Sequence, residues 1–306
     1  MNENINYAVL DNIEIMVSFT FEAKDVNTLH YKSMDLSGLI TKACKAQSMI
    51  LDFDTVCRNS FVNFKLLPKK GRSETVLFHF NPIRTLRKEL QDTTGEKFGS
   101  GLQGDTNFID VTKYPFTQEY QNRTISDACT KLQAIVDVCK AVSNDTMFKE
   151  FGFKPSIKLS LLKLEAVIDK SYAAEEINIY HNILIQIYHT VMSKNYSDLL
   201  LHTPDSTVKN QCFYLSINNI ANNNHEKIGQ VYLKTDKILR FEYCRNLQNK
   251  RYKAKHSKQR FTAKVNIEND AIIIEGFRLY LQTHLNKTQD LYNESTEIVK
   301  SKINKQ

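Results

Sequence analysis

Four segments in the second half of the chain alternate apolar and polar residues with a period of two. They span residues 157–169, 211–217, 228–234 and 238–245. Side chains on a β-strand point alternately to the two faces of a sheet, so each segment predicts a strand with one apolar and one polar face. The pairing of such strands is tightly constrained, because a slip of one residue would expose the whole apolar face.

The last two of these strands predict a β-hairpin, because only residues 235–237 separate them. A three-residue loop pairs Tyr232 with Arg240 and Gln230 with Glu242. A two-residue loop would instead set apolar residues opposite polar ones. We therefore predict the three-residue register, which places all four of these side chains on one face.

That polar face carries side chains of unlike chemistry. We expect it to hold Tyr232, Lys234, Arg240 and Glu242, joined by Glu165, Asp169 and Tyr214 if their strands belong to the same sheet. Carboxylate oxygens are ligands that Mg²⁺ and Mn²⁺ prefer. A tyrosine beside a divalent ion and cationic side chains is a candidate nucleophile toward a phosphodiester. The alternative interpretation is an amphipathic sheet whose polar face is only solvated and ion-paired.

The remaining segments predict strands and helices in mixed order. Strands are predicted over 8–20, 60–67 and 75–81, and helices over 36–46, 83–90, 125–149, 173–196 and 271–285. Because these helices do not alternate strictly with the strands, the pattern favours an α+β fold. We expect an antiparallel sheet with one polar face that forms the site, and helices packed on its apolar face.

The order of the segments indicates three regions. We predict an N-terminal α+β half over 1–122, a second half over 123–270 that carries the site and a basic segment, and a helical tail over 271–306. Residues 92–122 hold four of the nine glycines, so a mobile loop or an inserted hairpin is expected there. Ser126 and Asp127 predict the start of the helix over 125–149.

One short segment carries the whole net charge of the chain. The chain has 41 Lys and Arg against 34 Asp and Glu, a net charge of +7. Residues 240–264 contain nine basic residues and a single acid, a net charge of +8, so the rest of the chain carries −1. This concentration predicts a surface that binds DNA, although a solvated loop is the alternative. The candidate DNA contacts are Arg84, Arg245, Lys250, Arg251, Lys253, Lys255, Lys258 and Arg260.

Cysteine usage and hydropathy favour the cytoplasm. The six cysteines are scattered with no C-x-x-C pair, which is typical of free thiols in a reducing compartment. No stretch approaches about 18 uninterrupted apolar residues, and the N-terminus lacks the pattern of a secretory signal. We therefore expect no contact with a membrane.

Five short motifs follow one another along the chain. They are the strand around Asp11, the segment Phe80-Asn81-Pro82-Ile83-Arg84, the spaced acids Glu165 and Asp169, the pair Tyr232-Leu233-Lys234, and the segment Leu239-Arg240-Phe241-Glu242-Tyr243-Cys244-Arg245. In this order, and on predicted strands, they resemble the rolling-circle replication initiators of the filamentous-phage gene II type and of the plasmid replication-initiation-factor type. The resemblance covers residues ~8 to 250.

The resemblance implies an enzyme that nicks one DNA strand through a tyrosine, with a 5′-phosphotyrosyl link, a free 3′-hydroxyl and a divalent metal. Carried to this chain, it implies a tyrosine nucleophile. The neighbouring Lys234 and Arg240 favour Tyr232 and predict a lowered phenol pKa for it, and Tyr214 is the alternative because it lies where some plasmid initiators carry their tyrosine. Lys234 and Arg240 would neutralise charge, and Glu165, Asp169 and Glu242 would hold Mg²⁺ or Mn²⁺. The two-histidine metal motif of the wider superfamily is absent, since His79-Phe80-Asn81 supplies half of it, and Lys163 stands where an arginine is typical.

Two other classes of protein remain open at this point. The first is a noncatalytic DNA-binding protein for replication, partition or regulation, which would use the same basic segment without cleaving DNA. The second is a virion structural protein, which the low content of Gly and Pro disfavours. Beyond DNA, the partners to consider are a second copy of the chain and a host helicase.

Overall fold

One antiparallel sheet organises the part of the chain that the computed structural model describes, namely residues 6–20, 63–67, 73–99, 108–144, 156–196, 199–202, 212–219, 224–246, 261–265 and 269–303. Its strands are β1 (Val9–Thr20), β2 (Asn63–Leu67), β3 (Ser73–Phe80), β4 (Ser156–Ser171), β5 (Leu199–His202), β6 (Cys212–Asn219), β7 (Asn224–Leu233), β8 (Ile238–Asn246) and β9 (Thr262–Val265). They pair in the order β2-β3-β1-β4-β8-β7-β6-β5, and β9 also pairs with β4.

Helices cover both faces of this sheet unequally. Those within the described ranges are α1 (Pro82–Thr94), α2 (Gln118–Ser143), α3 (Ile177–Ser193) and α4 (Asp270–Ile303). The last three bury their apolar side chains against one face, in a core that includes Ile13, Leu164 and Phe241. Helix α1 packs on part of the opposite face, against Val9 and Val167. The predicted α+β fold, with an antiparallel sheet and helices on its apolar face, is confirmed.

The sheet joins the regions that the sequence separates. Strand β1 lies between β3 and β4, so strands from 1–122 and from 123–270 are neighbours. Helix α4 packs on the same sheet. Among the helices described, none has the length and hydropathy needed to span a membrane.

Helix α1 follows the local rules for helix ends. The side chain of Asn81 accepts a hydrogen bond from the N–H of Arg84 at 3.2 Å, and Pro82 occupies the first helical position. The helix ends at Gly95, whose φ of 71° lies in the left-handed region that favours glycine. Helix α1 is therefore longer than the predicted 83–90.

Helix α2 begins seven residues before the predicted start. Its N-cap is Thr117, whose side chain accepts a hydrogen bond from the N–H of Tyr120 at 3.3 Å. The prediction of Ser126 or Asp127 as the cap is wrong, because the first turn of α2 is polar and shows little apolar periodicity. Similarly, α4 continues past 285 to Ile303.

Between α1 and α2, the described residues 95–99 and 108–117 are irregular but well packed. Phe98, Phe108, Ile109 and Phe116 are buried in a cluster with apolar side chains of α1. Strands β5 and β9 were not predicted. The predicted helix over 36–46 lies outside the described residues.

Strand β9 continues the path of β8 along β4. Strand β8 ends with Asn246 paired to Lys163, and β9 begins with Thr262 paired to Ser160. Between them, the N–H of Leu161 donates to the carbonyl of Phe261 at 3.1 Å. The end of β8 and the start of β9 therefore lie only about two residues apart along β4. Residues 247–260 lie outside the described residues.

Substitution of alanine for glycine is expected to have opposite effects on stability at two positions. A Cβ added at Gly229 in β7 would lie 2.6 Å from the Oη of Tyr188, a fully buried side chain whose hydroxyl donates to the carbonyl of Glu242 at 3.2 Å. Gly229→Ala is expected to lower the free energy of unfolding by about 1–3 kcal/mol. Gly276 in α4 has no contact closer than 3.7 Å, so Gly276→Ala should raise that free energy by about 0.5–1 kcal/mol.

Urea unfolding of the two variants measures both effects. Equal destabilisation by both alanines would contradict the packing of Tyr188 over Gly229.

Candidate functional site

The hairpin of β7 and β8 has the predicted register. Tyr232 pairs with Arg240 and Gln230 with Glu242, and the N–H of Lys234 donates to the carbonyl of Ile238 at 2.8 Å. The three-residue loop is confirmed. The polar side chains of both strands therefore lie on one face, opposite the core formed with α2, α3 and α4.

The neighbouring strands add their predicted side chains to this face. In β4, Asp169 pairs with Arg240 and Glu165 with Cys244. In β6, Tyr214 pairs with Gln230. The face is largely buried, and its charged members include Arg240 and Asp169 at 0% exposure. The sequence thus predicted these members of the face but not their burial.

Arg240 is held by two carboxylates. Its Nε and Nη2 donate to the two oxygens of Asp169 at 2.6 and 2.7 Å, and its Nη1 lies 3.4 Å from the Oδ2 of Asp11. The other oxygen of Asp11 accepts a hydrogen bond from the Nδ2 of Asn81 at 3.0 Å. Because Asn81 caps α1, a continuous network of hydrogen bonds links Asp169 to the first turn of that helix.

Glu165 and Glu242 share a lysine. The Nζ of Lys227 lies 2.6 Å from the Oε1 of Glu242 and 3.8 Å from the Oε1 of Glu165. The Nζ of Lys163 lies 2.9 Å from the same Glu165 oxygen. The Sγ of Cys244 is 3.4 Å from that oxygen as well.

The two carboxylates have pKa values that move in opposite directions. Burial works to raise the pKa of Glu165, but Lys227 and Lys163 outweigh it and hold that pKa below its usual value. Burial also raises the pKa of Glu242, the charge of Glu165 adds to this, and Lys227 offsets it only in part. Of the two carboxylates, Glu242 therefore holds a proton more readily.

Tyr232 lies on the same face as these charged side chains and pairs with Arg240 across the hairpin. Its side chain is buried, and the Nζ of Lys234 is 5.6 Å from the centre of its ring. Burial raises the pKa of Tyr232 well above its usual value, Arg240 lowers it only in part, and Glu242 raises it further. The expected lowering of the phenol pKa is therefore wrong, because desolvation and nearby carboxylates outweigh the arginine. A nucleophilic Tyr232 would need a base.

Tyr214 has a different setting, near the end of the sheet. Its ring stacks on His202 of β5, with ring centres 4.3 Å apart and planes 5° from parallel. The Nε2 of His202 and the Oγ of Ser216 are 2.7 Å apart. Tyr214 therefore shares the face with Tyr232 but contacts the histidine of the edge strand.

The candidate DNA contacts are divided between two faces of the sheet. Arg84 lies in α1 near His79, whose pKa is lowered by burial and, to a smaller extent, by the charges of Lys163 and Arg84. The guanidinium of Arg245 lies on the helix-covered face, 5.7 Å above the ring of Tyr280 in α4. The other six candidates lie outside the described residues.

The predicted metal ligands do not come together as one set. Asp169 is bound to Arg240 through both oxygens, while Glu165 and Glu242 meet at Lys227. Within the described ranges, no group of three or more His, Cys, Asp or Glu side chains is arranged to hold a metal ion. As folded, these residues do not fit Mg²⁺ or Mn²⁺, and the requirement for a metal stays a prediction.

Asp11, named above only as part of a motif, and Lys227 were not predicted on the polar face, because β-bulges place them there. Asp11 lies at a bulge in β1, between pairs made by Leu10 and Asn12 with adjacent residues of β4. Ile228 forms a similar bulge in β7, between Lys227 and Gly229. A strict period of two puts Lys227 on the apolar face with Val231, but the extra residue turns it to the polar face. No sequence signal marked either bulge.

The chain matches no protein-family model and no curated protein.

Proposed function

We propose that the protein binds DNA and nicks one strand, with Tyr232 as the nucleophile, as a replication initiator of a phage or plasmid. The observation that carries the proposal is the hairpin register, which sets Tyr232 opposite Arg240 and next to Lys234 on one sheet face. Glu242 lies on the same strand and the same face as Arg240, where it pairs with Gln230. A phenol, cations and a carboxylate of raised pKa are the groups that phosphodiester transfer requires.

The proposed reaction is a transesterification. The Oη of Tyr232 attacks the phosphorus and forms a phosphotyrosyl bond, while the bond from phosphorus to the 3′-oxygen breaks. Glu242 takes the phenol proton and returns it to the 3′-oxygen, so that a 3′-hydroxyl is left. Lys234 supplies positive charge near the developing phosphorane, and Arg240 holds Asp169 and the local backbone in place.

Basic residues begin where β8 ends. Arg245 and Asn246 close the described strand, and six of the candidate DNA contacts follow within 250–260. In the proposed function this segment grips the DNA backbone without regard to sequence. A second copy of the chain and a host helicase remain predicted partners, and the cytoplasm is the proposed compartment.

Replacing four residues of this segment should change the salt dependence of DNA binding. With Lys250, Arg251, Lys253 and Lys255 all changed to Gln, the slope of log affinity against log salt concentration should flatten by roughly 3–4. Fluorescence anisotropy with labelled DNA at several salt concentrations measures the slope. A control of equal charge changes the exposed Lys113, Lys194, Lys287 and Lys300 to Gln. Equal slopes for the two variants would show that the segment does not contact DNA.

The nicking activity itself is tested with supercoiled and single-stranded DNA. The wild-type protein is incubated with each substrate, once with Mn²⁺ and once with EDTA. Conversion of supercoiled to open-circular DNA, together with a denaturation-resistant protein–DNA adduct, is the expected result. Binding without nicks or adducts under either condition would reject the proposal.

A noncatalytic DNA-binding function is the second candidate, and one observation favours it. Arg240 is fully buried and bound to Asp169 and Asp11, and Lys234 is also buried. Charges paired in this way are typical of a structural polar layer. The incubation with supercoiled and single-stranded DNA distinguishes the two functions. A noncatalytic protein should bind DNA in a salt-dependent way and leave it uncut.

A further inference from the structure

A lysine lies where two carboxylates of the site converge. Glu165 and Glu242 are 5% and 4% exposed, and the Nζ of Lys227 is within 4 Å of an oxygen of each. The side chain of Lys227 is itself 37% exposed, so it reaches the pair from the solvent side. The bulge at Ile228 turns Lys227 toward these acids.

The local charges already balance. The two carboxylates, Glu165 and Glu242, are matched by two ammonium groups. One belongs to Lys227, and the other to Lys163, whose Nζ lies 2.9 Å from the Oε1 of Glu165. A divalent cation added between the carboxylates would leave an excess of two positive charges in a largely buried cluster, unless a lysine moved out. Close like charges at low dielectric repel strongly, so such binding is disfavoured.

We infer that Lys227 is a resident cation that takes the place of a divalent metal between Glu165 and Glu242, so that the site works without added metal. The second part of this inference rests on the proposed nicking function. Lysine is charged at neutral pH, and the Nζ of Lys227 is held 2.6 Å from the Oε1 of Glu242.

Measurement of metal binding tests whether Lys227 takes the place of a divalent metal. Binding of Mn²⁺ alone is measured at pH 7 by electron paramagnetic resonance and calorimetry for the wild type, Lys227→Met and Lys227→Arg. Methionine keeps the length of the side chain and removes the charge, so Lys227→Met should bind Mn²⁺ at least about tenfold more tightly than the wild type. Lys227→Arg keeps the charge and should behave as the wild type.

The control is Lys194→Met, which removes an exposed ammonium group 2.5 Å from Glu294 and should bind Mn²⁺ as the wild type does. Micromolar binding by the wild type that Glu242→Gln abolishes would overturn the inference, and so would equal affinities of the wild type and a folded Lys227→Met. If Lys227→Met does not fold, the affinity of the wild type for Mn²⁺ tests the inference. Weak binding by the wild type is expected, and micromolar binding would contradict the inference.

Nicking in the presence of EDTA tests whether the site works without added metal. Equal nicking by the wild type in EDTA and in Mn²⁺ is the expected result. Nicking only with Mn²⁺ would overturn metal independence while supporting the proposed function. Absence of nicking under both conditions would reject the proposed function, and the binding measurements would then decide the role of Lys227.

Discussion

Tyr232→Phe is expected to abolish the covalent protein–DNA adduct and leave the fold intact. The phenyl ring keeps its packing on the polar face, and only the hydroxyl that would attack the phosphorus is lost. Removal of a nucleophile should lower adduct formation by at least roughly a thousandfold. The lost hydroxyl costs about 1 kcal/mol of stability, so the melting temperature should fall by no more than about 2–4 °C.

Tyr214→Phe is the matched control. It makes the same change on the same face, beside His202 and away from Arg240, and should retain the adduct. Mass spectrometry of the nucleotide-linked peptide identifies the modified residue. A link to Tyr214, or an undiminished adduct in Tyr232→Phe, would disprove the assignment of the nucleophile.

Arg240→Met is expected to cause the largest loss of stability among single substitutions at the site. It leaves Asp169 at 0% exposure and Asp11 at 5% without the guanidinium that binds both. Leaving a buried charge without its partner typically lowers the free energy of unfolding by about 3–5 kcal/mol. Urea unfolding at neutral pH, followed by circular dichroism, measures this loss.

Arg278→Met provides the comparison on the protein surface. Arg278 binds both oxygens of Glu275 at 2.7 Å, the same geometry as the Arg240–Asp169 pair, but on an exposed turn of α4. Solvent screens that pair, so no measurable change in stability is expected. Changing Asp169 to Leu together with Arg240→Met should recover part of the lost free energy of unfolding, because it removes one buried carboxylate that would have no cationic partner. Equal effects of Arg240→Met and Arg278→Met would show that the buried pair contributes little.

Alternation along the strands made the sheet and its polar face predictable. A period of two is a local property, and it specifies a unique register where one face must be buried. The pairing of Tyr232 with Arg240 follows from that rule and the length of the loop. That Asp169 shares this face was also predicted, but its direct pairing with Arg240 across β4 and β8 was not.

Features that depend on distant parts of the chain could not be predicted in this way. The bulges that place Asp11 and Lys227 break the alternation without any marker residue, and they show only in the pairing with β4 and β6. Burial of Tyr232 reversed the expected direction of its pKa, because desolvation depends on the whole fold. Helix α4 extends past 285 because tertiary packing of Leu291 and Val299 compensates for weak periodicity.

The shared path of β8 and β9 along β4 has a consequence for how this protein can vary. Asn246 and Phe261 are held by β4 at positions opposite Lys163 and Leu161, only two residues apart along that strand. Doubling the length of a flexible loop between fixed ends costs only about 0.6 kcal/mol. A change in the number of residues between Asn246 and Phe261 is therefore expected to leave β4 and the hairpin of β7 and β8 unchanged.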